Sequence, residues 1–330
     1  MQLILNTHGL SLTVSKGTFF VKAGEEKRQI SPEQISSIGV TTPCMISSAA
    51  VELAVKADIP IYFFDEQGDA YACLRSPYFE SIATLRRKQV YFSDRAEGVL
   101  WVVEQFGIKG QHQIEVLEQL IRKKPQQKKA FEDVIVRIQA GCAQLESRAA
   151  APPSPEWSSG IMGWEGSLAR QYWQALGSAM PAGWEFSTRN RRPALDPFNA
   201  TINYYYGMLY ALVEQALFAA GLDPHLGILH VDEYDRPTLA FDLIEPFRPW
   251  IDGLVVETIF AGQMDLSWYD TQDGGYRLNS AGKKGLIPRF NAFMQTSVRW
   301  QARQMTRTAH IYRCAGELAN RIESTVKRPV

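Results

Sequence analysis

Four side chains have the types and spacing to gather a divalent cation. In residues 226–249, LGILHVDEYDRPTLAFDLIEPFRP, His230 closes the apolar run GIL, and Asp242 and Glu245 follow the charged turn VDEYDRPT. Asp242 and Glu245 stand three apart at what reads as a helix start, a spacing that puts both on one face. The fourth is Glu165, held between glycines in GWEG, where small residues permit close approach of another backbone or a phosphate. An imidazole and carboxylates together suit one divalent ion, and a turn between two adjoining elements would bring them together. Each residue also has a simpler reading. Asp242 and Glu245 fit a capping box, Glu165 an acid in the first turn of a helix, and His230 a packed core residue. Taken singly, capping is the commoner use of such acids.

The elements that must position these residues divide the chain in two. Residues 1–77 read as a small β-rich domain: LILN, LSLTVS, TFFVKA, RQISP and SSIGVTT are short apolar or alternating runs separated by turn-like NTHG, SKG and AGEE. One amphipathic helix with a serine cap, SSAAVELAVKADI, precedes a buried strand, PIYFFD, and a hairpin through DEQGDA. His8 in NTHG reads as a turn residue, with no acid or cysteine at metal spacing. Residues 78–330 read as a larger all-α domain, giving an α+β chain. SIATLRRKQVYF, the run 95–106, HQIEVLEQLIRKK and FEDVIVRIQAGCAQLE show helical periodicity, with KKPQQKK as a break. AAAPPSPEWSSG reads as a linker delivering Glu165 to the helical pattern SLARQYWQAL. Asp196 and Pro197 introduce a long helix whose early face carries Asn199, Asn203 and Tyr206, side chains able to hydrogen-bond phosphate or, for tyrosine, stack on an unpaired base. Tyr204 and Tyr205 read as packing residues.

The chain has 330 residues, with 35 Lys and Arg balancing 35 Asp and Glu. Its distribution of charge says more than the zero sum. After residue 281 the bases Lys283, Lys284, Arg289, Arg299, Arg303, Arg307, Arg313, Arg321, Lys327 and Arg328 face only Glu317 and Glu323. Arg299, Arg303 and Arg307 recur every four residues, so one helical face would carry them toward a phosphate backbone or simply toward solvent. The four cysteines, Cys44, Cys73, Cys142 and Cys314, are scattered without a CxxC pair, which predicts reduced, buried thiols. No phosphate-binding G-x-x-x-x-G-K-[ST] loop occurs, and no apolar run reaches membrane-spanning length, so a cytoplasmic protein without nucleotide hydrolysis is expected.

Four motifs, MGWEGSLARQYW, RNRRPALDPFNATINYYYGMLY, GILH and FDLIEPFRP, in this order and rough spacing, resemble the CRISPR adaptation integrase family, CRISPR-associated protein one. The resemblance is strong over residues 162–249 and looser over the β-rich part and GGYRLNSAGKKG. It implies a DNA integrase and endonuclease that binds Mg2+ or Mn2+ through Glu165, His230 and Glu245, with Asp242 at a neighbouring acidic position. It also implies DNA contacts by Asn199, Asn203 and Tyr206, which match the family's N-x-x-x-N-x-x-Y pattern, and by Arg248, Lys283 and the three arginines. The implied partners are double-stranded DNA with 3' ends, CRISPR repeat DNA, a second copy joined through the β-rich domain, and the small adaptation partner protein. In the implied reaction a 3'-hydroxyl of a short fragment attacks a phosphodiester of the array. A non-catalytic DNA-binding scaffold and a plain metal-dependent nuclease are the alternatives.

Overall fold

A computed structural model of the protein describes residues 1–35, 37–57, 59–65, 70–74, 83–149, 157–230 and 236–326. The expected α+β order is what it shows: a β-rich N-terminal part, then a mostly helical one.

The N-terminal part is built on two sheets. In one, β1 (Gln2–Leu5), β5 (Ser37–Val40) and β7 (Ile61–Phe64) run parallel, and β8 (Ala70–Leu74) closes the edge antiparallel to β7. β5 is buried along its whole length, as an inner parallel strand requires. A side chain at Gly39 of β5 would come within 2.7 Å of the tip of Ile4 and 3.2 Å of the Phe64 ring, so those side chains would have to shift to admit it. The second sheet has the order β4 (Glu26–Ile30), β3 (Thr18–Ala23), β2 (Ser11–Ser15) and β6 (Met45–Ile46). Leu12 and Phe19 from this sheet, and Leu5, Ile38 and Ile61 from the first, share one core with Ala50 and Ala54 of α1 (Ser48–Lys56). Ser47 caps α1 as expected, accepting from the Ala50 N–H at 3.2 Å. His8 lies exposed in a turn.

By compactness, residues 1–80 group with 267–270 and 278–310, and residues 81–266 group with 271–277 and 311–330. The expected division at residue 77 falls outside the described residues, and the segment 278–310 belongs to the first unit although the sequence assigned it to the helical part. That segment contains α9 (Ser280–Gln295) and a hairpin of β11 (Ser297–Trp300) with β12 (Arg303–Thr306). A two-stranded sheet of β9 (Tyr269–Gln272) and β10 (Gly275–Leu278) precedes α9.

The second unit is helical: α2 (Ala83–Phe92), α3 (Ala96–Lys123), α4 (Lys128–Ala149), α5 (Trp157–Ala179), α6 (Pro197–Ala219), α7 (Thr238–Leu243), α8 (Arg248–Phe260) and, from residue 311 on, α10 (Arg307–Thr325). α3 is one continuous helix where the sequence suggested two, because Gly107 and Gly110 stay helical inside it. Its buried stripe runs Val99, Val102, Phe106, Lys109, Gln113, Val116, Leu117 and Leu120, the three-and-four spacing of a core-facing helix. Asp196 caps α6 by accepting from the Asn199 N–H at 2.7 Å, and Pro197 occupies the first turn. Among the described residues no helix is long and apolar enough to cross a membrane. None of the four cysteines is fully buried, contrary to the expectation of buried thiols: Cys44, Cys142 and Cys314 are half-buried, and Cys73, on edge strand β8, is exposed.

Candidate active site

Glu165 does not end a linker. It sits in the middle of α5, whose helix already begins at Trp157, so neither delivery by a loop nor a first-turn role describes it. Residues 150–156 of the expected linker lie outside the described residues. A Cβ added at Gly160, Gly163 or Gly166 would meet nothing within 4 Å, so these glycines keep the flank of the helix beside Glu165 low without serving a packing contact.

Glu245 opens a short 3₁₀ turn, Glu245–Phe247, between α7 and α8, and is buried. The two glutamates meet on one cation from a third element. The ammonium of Lys109, on α3, lies 2.5 Å from Glu165 Oε1 and 2.6 Å from Glu245 Oε2. Arg248, at the start of α8, approaches the other oxygen of Glu245 at 3.2 Å and donates to the Tyr210 hydroxyl. Burial opposes charge on Glu245, but Arg248 and Lys109 outweigh it and hold the carboxyl below its ordinary range. Burial likewise opposes the charge on Lys109, and Glu245 and Glu165 outweigh it, raising its pKa. This cluster is therefore a charged quartet of two acids and two bases.

Asp242 is buried at the end of α7 and does not cap a helix, because α7 starts earlier, after Pro237. Its Oδ2 accepts from the N–H groups of Ile228 at 2.7 Å and Leu229 at 3.0 Å, and its Oδ1 from the His230 N–H at 3.2 Å. The His230 ring completes the arrangement, with Nδ1 at 2.6 Å from Asp242 Oδ1. Burial disfavours the imidazolium, but the hydrogen bond and charge of Asp242, followed by the charge of Glu245, raise the pKa of His230. With Nδ1–H given to Asp242, Nε2 is the nitrogen left for a cation, the usual way a carboxylate orients a metal-binding histidine. Most of the charged turn between these residues, 231–235, lies outside the described residues.

The expected ligand set thus does not converge as a whole. Among the described residues no three His, Cys, Asp or Glu side chains form a group that could hold a metal ion. Lys109 lies between Glu165 and Glu245, while His230 turns its Nδ1 to Asp242. The donors themselves fit a divalent ion. Glu245 Oε2 is buried and accepts no well-formed hydrogen bond, leaving it only the charge contact with Lys109. Two anionic oxygens meeting on one cation are donors of the kind a hard divalent ion takes.

Several expected DNA contacts are committed elsewhere. Asn199 is fully buried; its Oδ1 accepts from Arg189 at 2.9 Å and from the Asn190 N–H at 3.1 Å, and its Nδ2 donates to Asp196 at 2.7 Å and to the Thr188 carbonyl at 3.0 Å. Asn203 accepts from the other Arg189 nitrogen at 2.6 Å and donates to the Arg191 carbonyl at 3.0 Å. Both asparagines therefore hold the RNRRP segment in shape. Tyr206 is buried and donates to Asp252 at 2.7 Å, with the Arg189 and Arg248 guanidinium groups 5.4 and 5.3 Å from its ring centre. Tyr172 donates to the other oxygen of Asp252 at 3.0 Å. Burial raises the Asp252 carboxyl to about 6 in spite of these two hydroxyls. Tyr205 is fully buried, as a packing residue should be.

The arginine stripe is corrected more strongly. Arg299 and Arg303 lie on the β11–β12 hairpin, paired with Gln304 and Trp300, so their side chains leave opposite faces of that ribbon. Arg307 begins α10, donates to the Phe293 carbonyl at 3.0 Å and lies over the Phe293 ring. Lys283 is half-buried near the start of α9. Sequence reasoning missed Lys109, Asp252 and Tyr172. For Lys109 the signal was present: a lysine at a core-facing position of an amphipathic helix.

Fold and site together define a class: a β-rich part followed by a helical part whose charged centre gathers acids from α5 and the α7–α8 junction. The model of the family "CRISPR associated protein Cas1" matches residues 3–292, and the chain belongs to that family. It is similar to the CRISPR-associated endonuclease Cas1 1 of Pyrobaculum aerophilum, 31% identical over 261 residues, covering 78% of this chain and 81% of the relative. A protein of the same name from Archaeoglobus fulgidus is 28% identical over 266 residues, covering 78% and 77%. Among solved structures, a casposase bound to its integration product superposes with TM-score 0.84 at 24% identity, covering 99% of this chain and 92% of that one. A CAS1 protein from Thermotoga maritima gives TM-score 0.81 at 20% identity, covering 98% and 97%. At these identities the two structures share the fold.

Proposed function

We propose that this chain is a divalent-metal-dependent DNA strand transferase and endonuclease of CRISPR spacer acquisition. The observation that carries the proposal is the meeting of Glu165 and Glu245, from distant parts of the chain, on a single cation in a buried setting. Family membership supplies the substrate class, since curated relatives are named CRISPR-associated endonucleases. Glu165 and Glu245 would hold Mg2+ or Mn2+ with His230 as third donor, and when bound the ion supplies polarisation of a phosphoryl oxygen and charge neutralisation at the reacting phosphate. Asp242, saturated by backbone donors, orients His230. Arg248, beside Glu245, is placed to share the charge of a phosphate.

In strand transfer a 3'-hydroxyl oxygen forms the new phosphodiester as the old bond breaks and its oxygen leaves with the proton. One phosphodiester replaces another, so no nucleotide is consumed. The Asn199, Asn203 and Tyr206 network acts by fixing Arg189, which lines the same cavity as Glu165 and Arg248. Met45 on edge strand β6 and Tyr71 on edge strand β8 are exposed, which favours a second copy binding the β-rich part. The small adaptation partner is the other proposed component; one fold neighbour is itself part of a complex titled Cas6-RT-Cas1--Cas2.

Joining of a short DNA duplex to a repeat-containing target, measured with chelator and with Mn2+ added back, tests the metal requirement. Wild-type joining should stop and recover, while Glu165→Gln should lose at least ~100-fold at every Mn2+ concentration and keep its DNA affinity. Joining that persists in excess chelator would refute it.

A further inference from the structure

The cation between Glu165 and Glu245 belongs to the protein itself, and its placement has consequences for how the site is loaded. Lys109 projects from the buried stripe of α3, with a side chain only 10% exposed, against Glu165 Oε1 at 2.5 Å and Glu245 Oε2 at 2.6 Å. Two carboxylates brought this close repel strongly unless a cation lies between them. Counting Arg248 beside Glu245, the quartet of two acids and two bases is neutral. A divalent ion placed between the same two carboxylate oxygens would meet the Lys109 ammonium at contact distance, where like charges repel strongly. Either the ion does not enter, or a protein cation leaves.

Lys109 is the one with somewhere to go. A cavity of about 100 Å³ adjoins it, lined also by Glu165, Trp173 and Asp252 and by the three arginines Arg189, Arg191 and Arg248. A lysine stem of four methylenes can swing its ammonium off the two carboxylates into that space. Arg248, by contrast, is anchored by Glu245 and the Tyr210 hydroxyl, and packs on the rings of Tyr206 and Tyr210.

We propose that Lys109 is the resident cation of the metal-free site: its ammonium holds Glu165 and Glu245 together in the place a divalent ion takes, and it withdraws into the adjoining cavity when the ion binds. This rests on the metal reading of Glu165 and Glu245. Loading is then an exchange of one cation for another, and the metal affinity of the unliganded protein is lowered by the share of molecules in which Lys109 occupies the site.

The test is Mn2+ binding to the full-length protein without DNA, followed by the electron paramagnetic resonance signal of free Mn2+, in wild type, Lys109→Met, Lys109→Gln and Glu165→Gln. Both Lys109 variants should bind Mn2+ at least ~10-fold more tightly than wild type, the gain expected when a competitor holding about nine-tenths of the sites is removed. Glu165→Gln should abolish this binding. Unchanged or weaker affinity in folded Lys109 variants, with binding still dependent on Glu165, would overturn the exchange and leave the metal reading intact. Binding indifferent to Glu165→Gln would overturn both. The wild-type protein crystallised with Mn2+ decides independently of how the variants fold: Lys109 Nζ should be beyond hydrogen-bond distance of at least one glutamate, and Nζ still touching both would refute the exchange.

Discussion

Two acid-centred pairs stand side by side in the helical unit, and they are built in opposite ways. Asp242 and His230 are 12 residues apart, and Asp242 collects three consecutive backbone N–H groups together with the imidazole. Backbone donors cannot leave, so this pair is formed in advance and stays formed. Glu165 and Glu245 come from α5 and the α7–α8 junction, and what joins them is a lysine from α3. A side-chain cation can be exchanged. The fixed pair orients an imidazole, and the exchangeable pair is where a reaction's charge can be received.

The comparison can be broken most forcefully at the fixed pair. Asp242→Ala would strand three N–H groups, two of them buried with Ile228 and Leu229, at about 1–3 kcal/mol for each group left unsatisfied. We expect a loss of about 4 kcal/mol in denaturant unfolding, against under about 1 kcal/mol for Glu165→Gln, which is partly exposed and leaves Lys109 its contact with Glu245. Equal losses in the two variants would mean that the pairs do not differ as described.

A third acid sharpens the contrast with a smaller effect. Asp252 accepts from two tyrosine hydroxyls, and burial raises its pKa from 3.8 to about 6. A carboxyl whose folded pKa lies above its unfolded value favours the fold while protonated. Its contribution is complete below about pH 4 and is lost as pH rises through about 6, a change of ~3 kcal/mol at 1.36 kcal/mol per unit. The stability difference between wild type and Asp252→Asn should therefore move against wild type by that amount between pH 4 and pH 7. A difference independent of pH would show that Asp252 is ionised throughout that range.

Much of this arrangement was legible in the chain because it depends on local rules. The strands of the first sheets, the Ser47 and Asp196 caps and the long helix after Pro197 follow from alternation, turn residues and capping chemistry. α5 extends beyond the pattern SLARQYWQAL through Gly160, Gly163 and Gly166, poor helix formers whose local preference hides the start of the helix. In the ribbon at 297–306 arginines four apart match a helical repeat, while Val298, Trp300 and Thr306 carry the opposing β preference that prevails. At the site, Glu165, His230, Asp242 and Glu245 stood out by their motifs. Their division into a fixed pair and an exchangeable one did not, since it depends on backbone N–H groups and on Lys109, which lies 56 residues from Glu165. A lysine looks like surface until its helix face is known.

The nucleophile provides the most direct test of the central claim, that this site transfers DNA strands. Donor duplexes ending in a 3'-hydroxyl or a 3'-deoxy nucleotide, incubated with Mn2+ and a repeat-containing target, separate attack by DNA from attack by water. Strand transfer predicts joined product from the hydroxyl donor alone, with none from the deoxy donor and none from either with Glu245→Gln. Target cleavage that is equal with both donors and never yields a joined strand would contradict it, leaving a metal-dependent nuclease.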